Sequence, residues 1–459
     1  MRSHCVLSFL TGHAPAAFAN HARYADTHGY RHVCVDASDG PRSAQVQTLH
    51  CYEALLHALD GCPADGIVLL LGEDGLVVEP HALDRLMAGR DALLVGVEKG
   101  RPQTDVQFWR NTPATRERIY RIMQRCRLGG EPFVDAATVL GDEPVHPWHE
   151  RIDDLYAVMH AGANIDPYWR RAATFALSLG DLHDSPSEAS AAPRIREILC
   201  AHLEMSGLRG LAPFSFETPA VDASADRSTY AAHNAPQNAP GNVSARDVAF
   251  VMLYTPGIAG YGGIAESNLR QYCERHGYTF YVYRDTPAEI GLSGTGNWFK
   301  PWLLDAYLPH HEWVIWVDAD VLILDHERPI DDLLRGRDRL LARDIGQWPF
   351  NSGVMGFRRT EGNAAMLRGL KARIRGLADR SSVYAHNGDQ FYFIEAMKQS
   401  GLLDEADILS PLVINTPWFM VGPDSFIAHY YGMWTEMRTL VMAYDEARRL
   451  VRDSQRQEK

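Results

Sequence analysis

The stretch from Trp313 to Asp325, WVIWVDADVLILD, constrains this chain most, because two carboxylates interrupt an almost unbroken apolar run. Burying a charge is costly unless another group pairs with it. Asp318 and Asp320 directly follow the run WVIWV, which predicts a buried strand at the centre of a sheet. Something must therefore neutralise the two aspartates where that strand ends.

A divalent cation suits this pair of carboxylates. Residues two apart in an extended chain point to the same side, and ligands of open α/β sheets bind beyond the carboxyl ends of the strands. Carboxylate oxygens favour manganese or magnesium. Asp-x-Asp alone is a weak signal, expected roughly once by chance in a chain of this length. Here it occurs once, directly after a hydrophobic run.

The rest of the chain alternates short β-rich runs with helical patterns. In the second half, DVAFVMLY is followed by GIAESNLRQYCERHG and YTFYVY, and later WFKPWLLDAYL is followed by WVIWV. Such alternation predicts the α/β class, with a mostly parallel sheet covered by helices on both faces.

Composition narrows the class of partner and the compartment. With 459 residues and 46% hydrophobic content, the chain has the composition of an ordinary globular protein of two or three domains. A net charge of −13 without any basic run argues against nucleic acid as a partner. No apolar run is long enough for an integral membrane segment. Seven scattered cysteines without a Cys-x-x-Cys pattern predict buried reduced thiols and a cytoplasmic protein.

A change of composition divides the chain. Residues 218–246 are rich in Ala, Pro, Asn and Ser without apolar periodicity, which predicts a linker. We therefore expect one domain over residues 1–217 and another over residues 247–459.

The two halves share three matching segments in the same order, which favours an internal duplication with a period of about 250 residues. The alternative is that any two α/β domains share helix–glycine–strand units. The matches pair NHARYADTHGYRHVCVD with NLRQYCERHGYTFYVYRD, GIVLLLGEDGLVVEP with WVIWVDADVLILDHERP, and VQFWRNT with GVMGFRRT.

Five motifs of the second half occur together in one order: WFKPWLL from Trp298, WVDADVLI from Trp316, NSGVMGFR from Asn351, HNGDQFYF from His386 and HYYG from His429. In this combination the half resembles the metal-dependent retaining glycosyltransferases that include fungal galactosyl and mannosyl transferases and plant xyloglucan xylosyltransferases. The resemblance implies a GT-A (nucleotide-diphospho-sugar transferase) fold. With the duplication, it implies two GT-A-like domains in tandem, the first degenerate.

The resemblance also implies the reaction and its partners. A hexose or pentose moves from a UDP- or GDP-sugar to a glycan or glycolipid acceptor with retention, and Mn²⁺ or Mg²⁺ assists. Neither base, sugar nor acceptor is set by the sequence, since such contacts lie on variable loops. A cytoplasmic enzyme of polysaccharide biosynthesis fits the composition.

Three metal ligands follow from the resemblance: Asp320, Asp318 and His429, with Asp318 also reaching the ribose. Without the resemblance, His429 is more simply a structural histidine satisfied by its neighbours. Family members carry a basic residue shortly after the histidine–glycine segment, whereas here the first one is Arg438.

Further residues are implied to contact the donor sugar. They are Lys300, Asn351, Ser352 and Gly353 as binding residues, and Asp389 and Gln390 as catalytic residues. Lys300 is alternatively a surface charge, and Asp389 belongs to a helix N-terminus capped around Asn387. The aromatic residues Trp298, Trp302, Trp418 and Phe419 either stack on the ligand or belong to the core.

The first half lacks one acid of the pair, because Gly72, Glu73 and Asp74 stand where the second half has Asp318 to Asp320. We favour a degenerate domain that serves packing, acceptor positioning or a homo-oligomer. The alternative is a second transferase that depends on Asp74.

Three other functions compete with a transferase. A haloacid-dehalogenase-type phosphohydrolase also carries Asp-x-Asp after a buried strand, but Leu322 stands where that family has Thr or Val. A nucleotidyltransferase needs a glycine-rich phosphate loop that GIAGYGGIAES matches poorly. A non-catalytic sugar-binding protein has no need of all three metal ligands.

Overall fold

The computed structural model describes residues 4–40, 43–96, 102–128, 136–140, 143–146, 152–154, 175–179, 189–209 and 247–457. The chain divides into two compact units, residues 1–215 with 432–434, and residues 216–431 with 435–459. The expected linker, residues 218–246, lies outside the described residues. Among the helices described, none is long and apolar enough to cross a membrane.

The first unit alternates strands and helices. Its described elements are β1 (Cys5–Leu10), α1 (Pro15–His28), β2 (Arg31–Asp36), α2 (Ala44–Asp60), β3 (Ile67–Gly72), β4 (Gly75–Val77), α3 (Leu83–Met87), β5 (Ala92–Gly96), β6 (Pro102–Arg110), α4 (Pro113–Leu128), α5 (Ala136–Val139), β7 (Val145–His146), β8 (Ile152–Asp154), β9 (Ala176–Ser178) and α6 (Ala192–Arg209).

The second unit repeats this alternation. Its elements are β10 (Val248–Leu253), α7 (Ala259–His276), β11 (Thr279–Tyr283), α8 (Lys300–Tyr307), β12 (Trp313–Val317), β13 (Val321–Ile323), α9 (Asp331–Leu334), β14 (Arg339–Ala342), β15 (Asn351–Arg358), α10 (Glu361–Arg375), α11 (Gly388–Gln399), β16 (Ile408–Leu409), β17 (Thr416–Pro417), β18 (Ile427–His429) and α12 (Thr435–Gln457). Short 3-10 helices lie at Pro256–Ile258, Ala288–Ile290, Gly296–Phe299, Leu308–His310, Ala385–Asn387, Glu405–Asp407 and Trp418–Met420.

Both units have the same sheet topology. The six-stranded sheets run β2-β1-β3-β6-β5-β7 and β11-β10-β12-β15-β14-β16, and the three-stranded sheets run β4-β9-β8 and β13-β18-β17. The expectation of an α/β fold is confirmed. The expectation of a mostly parallel sheet is wrong in part, because β6 and β15 run antiparallel to both of their neighbours. The connection between β14 and β15 is too short for the crossover that parallel strands need.

The run WVIWV forms β12, which lies inside its sheet between β10 and β15. All five of its residues are buried, as a continuous apolar strand requires. Helices α8, α10 and α11 pack against the same core, which contains Trp298, Trp316 and Phe357. The first unit packs its own core in the same way around β3, with Leu70, Leu94 and Trp109.

The repeated Asn, Tyr and His-Gly-Tyr positions make equivalent hydrogen bonds in the two units. Asn20 bonds both backbone groups of Val77, and Asn268 bonds both backbone groups of Ile323. The Tyr24 hydroxyl donates to the His81 carbonyl. The equivalent Tyr272 hydroxyl donates to the Arg328 carbonyl. In the same way the His28 bond to Pro80 corresponds to the His276 bond to His326, and the Leu83 amide bond to Tyr30 corresponds to the Ile330 amide bond to Tyr278.

These bonds hold the chain that follows each central strand, β4 in one unit and β13 in the other. Gly29 and Gly277 end α1 and α7 with φ of 65° and 69°, the left-handed region that glycine favours. Helix, glycine and strand therefore follow one another as expected. The expectation that the cysteines are buried is correct for five of the seven, since Cys34 is exposed and Cys51 is half-buried.

Candidate functional site

The site begins where β12 ends. Asp318 and Asp320 follow the strand directly, and the Asp318 amide donates to the Gly353 carbonyl at 2.8 Å. Val321 of β13 pairs with His429 of β18, and the Tyr430 amide donates to the Asp320 carbonyl at 2.8 Å. Two sheets therefore bring residues about 110 positions apart together at one edge.

Asp318, Asp320 and His429 form a group suited to a metal ion, since one ligand atom of each lies within 4.8 Å of the others. His429 Nε2 lies 3.2 Å from Asp320 Oδ1. His429 Nδ1 is buried and has no hydrogen-bond partner within the described part of the chain. Two carboxylates and an imidazole with an unsatisfied nitrogen are a donor set that fits a divalent ion such as manganese.

Gly353 makes room for this histidine. A Cβ atom at position 353 would lie 2.2 Å from His429 Cε1 and 2.5 Å from Nδ1. Any larger residue here would displace the imidazole ring, so the glycine of NSGVMGFR serves the metal ligand as well as the backbone.

Lys300 is a buried cation, only 2% exposed. The alternative that it is a surface charge is therefore wrong. Its Nζ lies 2.9 Å from Asp318 Oδ1 and 2.9 Å from Asp389 Oδ2. It also donates to the Ser352 carbonyl at 3.1 Å. The indole of Trp316 donates to Asp318 Oδ1 at 2.6 Å. One lysine thus joins the predicted metal ligand to the predicted catalytic residue.

The charges shift one another's pKa. Burial lowers the pKa of Lys300, but Asp318 and Asp389 outweigh burial and leave the pKa above its usual value. Burial raises the pKa of Asp318 despite the opposing charge of Lys300. Burial also acts to raise the pKa of Asp320, yet Arg438 and His429 hold it well below its usual range. Asp320 is therefore the acid that stays ionised most readily.

Asp389 and Gln390 begin α11 and point at the same cluster. Asp389 accepts from Asn297 Nδ2 at 3.1 Å and from Ser352 Oγ at 3.2 Å. Gln390 Oε1 accepts from the Ser352 amide at 3.0 Å. The helix does begin here, as the capping interpretation predicted. The Asn387 side chain does not cap it, however, since Asn387 adopts φ 73° and makes no capping hydrogen bond.

Arg438 is the basic residue that sequence reasoning treated as too distant. It lies on the first turn of α12, and its Nη1 lies 3.2 Å from Asp320 Oδ2 and 2.9 Å from the Tyr261 hydroxyl. Its guanidinium also stacks over the Tyr261 ring at 4.8 Å. Helix α12 thus supplies a cation to the Asp320 carboxylate from outside the HYYG segment.

The structure therefore brings all the predicted site residues of the second half to one edge, with Asn351 oriented by its bond to the Gly353 amide. Four aromatic residues considered for stacking are instead buried: Trp298, Trp302, Trp418 and Phe419. Sequence reasoning missed Asn297, Tyr261 and the closeness of Arg438. Asn297 adjoins the WFKPWLL motif, which was the one available signal.

The equivalent edge of the first unit is built differently. Asp74 pairs with Arg196 of α6 at 2.5 Å, and Glu73 accepts from the Thr11 and Gly12 amides at 2.8 and 2.7 Å. The Leu179 amide donates to the Asp74 carbonyl at 2.8 Å, which makes Ser178 the counterpart of His429. Gly72 and Ser178 thus replace two of the three ligands.

One family matches the second half. Residues 259–358 match the galactosyl transferase GMA12/MNN10 family, a range that includes Lys300, both aspartates and Asn351 to Gly353. The match covers 100 of the 459 residues and supports a glycosyltransferase. It therefore favours a transferase over the phosphohydrolase and the sugar-binding protein.

Several solved glycosyltransferases resemble parts of the chain. One is involved in glycosylation of the major capsid of PBCV-1, with 17% identity, 43% of this chain and 98% of that chain covered, and a TM-score of 0.36. GlyE of Streptococcus pneumoniae TIGR4 has 13% identity and a TM-score of 0.32, and the match covers 46% of this chain and 64% of GlyE. Mouse xyloside xylosyltransferase 1 has 13% identity and a TM-score of 0.27, and the match covers 40% of this chain and 97% of that protein. No protein among the curated ones matches.

Proposed function

We propose that residues 247–459 form the catalytic domain of a retaining glycosyltransferase and that residues 1–217 form a degenerate domain of the same fold. The reaction moves a hexose or pentose from a UDP- or GDP-sugar to a glycan or glycolipid acceptor. One observation carries the proposal. Asp318, Asp320 and His429 meet Lys300 and Asp389 in one buried cluster where the central strand ends.

A tandem duplication explains the two units. Equal strand order and the equivalent Asn20 and Asn268 bonds support a common origin. The linker proposed between the domains is residues 218–246. The first domain then serves packing, acceptor positioning or a homo-oligomer, since Gly72 and Ser178 are not metal ligands.

Mn²⁺ or Mg²⁺ is the proposed cofactor, held by Asp318, Asp320 and His429. When bound, the ion neutralises the charge that develops on the departing diphosphate. His429 Nε2 lies 3.2 Å from Asp320 Oδ1, which supports this assignment because it places the imidazole beside a carboxylate that would share the ion.

The remaining residues position the donor and the acids. Lys300 holds the Asp318 and Asp389 carboxylates at a fixed distance from each other through its two ion pairs. Ser352 and Asn297 fix the orientation of the Asp389 carboxylate, whose remaining lone pairs accept from a sugar hydroxyl. Gln390 accepts from Ser352 through Oε1 and offers its amide nitrogen to the same sugar. Such fixed groups lower the barrier by orientation.

The test is turnover of a panel of UDP- and GDP-sugars by the purified chain, with and without Mn²⁺. We expect nucleotide release from one donor that depends on the metal and is lost in Asp320→Asn. Asp74→Asn is the matched control, since it changes the equivalent acid of the first domain. Release that persists in Asp320→Asn but stops in Asp74→Asn would reverse the assignment of the domains.

Retention has its own test. We expect the anomeric configuration of the product, read by NMR, to equal that of the donor. An inverted product would remove retention from the proposal and leave the donor site intact.

A further inference from the structure

Arg438 places a positive charge beside a carboxylate that is proposed to hold a metal ion. Its Nη1 lies 3.2 Å from Asp320 Oδ2, and the side chain is 16% exposed. Tyr261 holds the guanidinium by a hydrogen bond of 2.9 Å and by stacking. Because two elements fix it, the contact is a built one, unlike the loose ion pairs of a protein surface.

The ion and the arginine need the same carboxylate. Asp320 Oδ1 faces His429, and Oδ2 faces Arg438. Arginine stays protonated at every physiological pH, so it cannot give up its charge when a divalent ion arrives. Like charges a few ångströms apart in a partly buried site repel strongly. The two cations therefore repel each other across Asp320, and each weakens the binding of the other.

The first unit shows the same device without the metal ligands. There Arg196, from the helix that follows β9, pairs with Asp74, the counterpart of Asp320. Gly72 and Ser178 stand in the other two ligand positions. In each unit, therefore, an arginine pairs with the second acid: Arg196 with Asp74 and Arg438 with Asp320. The first unit keeps this ion pair although it lacks the other two metal ligands.

We propose that Arg438 is an exchangeable internal counter-ion of the metal site. It pairs with Asp320 when the site holds no metal, and a divalent ion displaces it. This inference rests on the proposed function, since it takes Asp318, Asp320 and His429 as the ligands.

The test measures Mn²⁺ affinity directly, from the electron paramagnetic resonance signal of free Mn²⁺ in a titration without nucleotide. Arg438→Gln removes the competing charge, so we expect Mn²⁺ to bind on the order of tenfold more tightly than in the unaltered chain. Equal or weaker binding overturns the inference. Arg448→Gln, on the same helix with its guanidinium over Tyr444, is the matched control and leaves the affinity unchanged.

Two further results separate this inference from the proposed function. If neither the unaltered chain nor Arg438→Gln binds Mn²⁺, both the metal site and the inference are wrong. If both bind it equally, only the inference is wrong. Should Arg438→Gln fail to fold, Arg438→Lys decides, because the shorter cation weakens the competition. An affinity at or below that of the unaltered chain then overturns the inference.

Discussion

In residues 247–457 Asp318 and Asp320 follow the central strand, whereas in residues 4–209 Gly72 and Asp74 stand at the equivalent positions. The strand order around these positions is the same in both units. The hydrogen bonds that hold the following segment are the same too. A scaffold and a site are therefore separable: the scaffold is kept by packing and backbone bonds, and the site by a few side chains.

The differences at the site depend on one another sterically. Asp318 faces Gly353, whereas Gly72 faces Asp105, so the glycine and the acid have exchanged strands. A Cβ atom on Gly72 would lie 2.8 Å from Asp105 Oδ1. Replacing Gly72 by aspartate alone therefore cannot rebuild the metal site, because the facing carboxylate occupies the space.

The largest effect is expected from the two equivalent acids. Asp320→Asn should lower the turnover rate by about a thousandfold, because the diphosphate charge loses its metal. Asp74→Asn should leave the rate nearly unchanged but cost about 2 kcal/mol of unfolding free energy, since Arg196 loses the Asp74 carboxylate at 2.5 Å and keeps Glu73 at 3.9 Å. Turnover and urea unfolding of both variants measure this. Equal loss of activity would show that the units are not different in function.

The next largest effect concerns the buried lysine. Lys300→Met leaves Asp318 and Asp389 facing each other without a cation, so Asp389 moves and turnover falls by about a hundredfold. Lys371→Met is the control, because Lys371 pairs with Asp305 in the same unit. A rate that is unchanged in Lys300→Met would remove the lysine from the site.

A pH effect is expected from a buried histidine of the first unit. His21 is fully buried between Ser8 and the Gly75 carbonyl, and burial lowers its pKa from 6.5 to about 4. The unfolded chain therefore binds the proton first. Stability is full above the unfolded pKa and falls by about 3 kcal/mol as the pH drops from about 6.5 to about 4.

The substitution His21→Leu tests this, because Leu269 stands at the equivalent position of the second unit. Urea unfolding at neutral pH and at about pH 4.5 should show a smaller acid loss in the variant than in the unaltered chain. An identical loss in both would assign the acid sensitivity to other groups.

The smallest effect compares the two asparagines. Asn20→Ala and Asn268→Ala each remove two backbone bonds, and each should cost about 2 kcal/mol of unfolding free energy. Asn268→Ala should cost more, since this side chain also donates to Glu446 at 2.7 Å. Urea unfolding gives both values. A negligible cost for one of them would break the equivalence of the units.

The sequence predicted the parts that periodicity and local order encode. WVIWV predicted its own position in the sheet, and His-Gly-Tyr predicted the helix–glycine–strand units. It did not predict the antiparallel course of β15, because direction depends on the connection and not on apolar pattern. It also did not predict the contact of Arg438 with Asp320, which α12 makes from more than a hundred residues away.

The chemistry of single residues was harder to predict than their positions. Lys300 lies next to a proline and two tryptophans in sequence, and nothing local shows that two acids will surround it. Likewise the need for glycine at position 353 arises from His429, which joins it only in the folded chain. Long-range contacts of this kind have no local sequence signal.

The central claim is that one of the two units holds a catalytic metal and the other does not. The most direct measurement is the number of Mn²⁺ ions bound per chain at saturation, for the unaltered chain, Asp320→Asn and Asp74→Asn. We predict one ion per chain, lost in Asp320→Asn and kept in Asp74→Asn. Two ions per chain, or one ion that survives in Asp320→Asn, would contradict the claim.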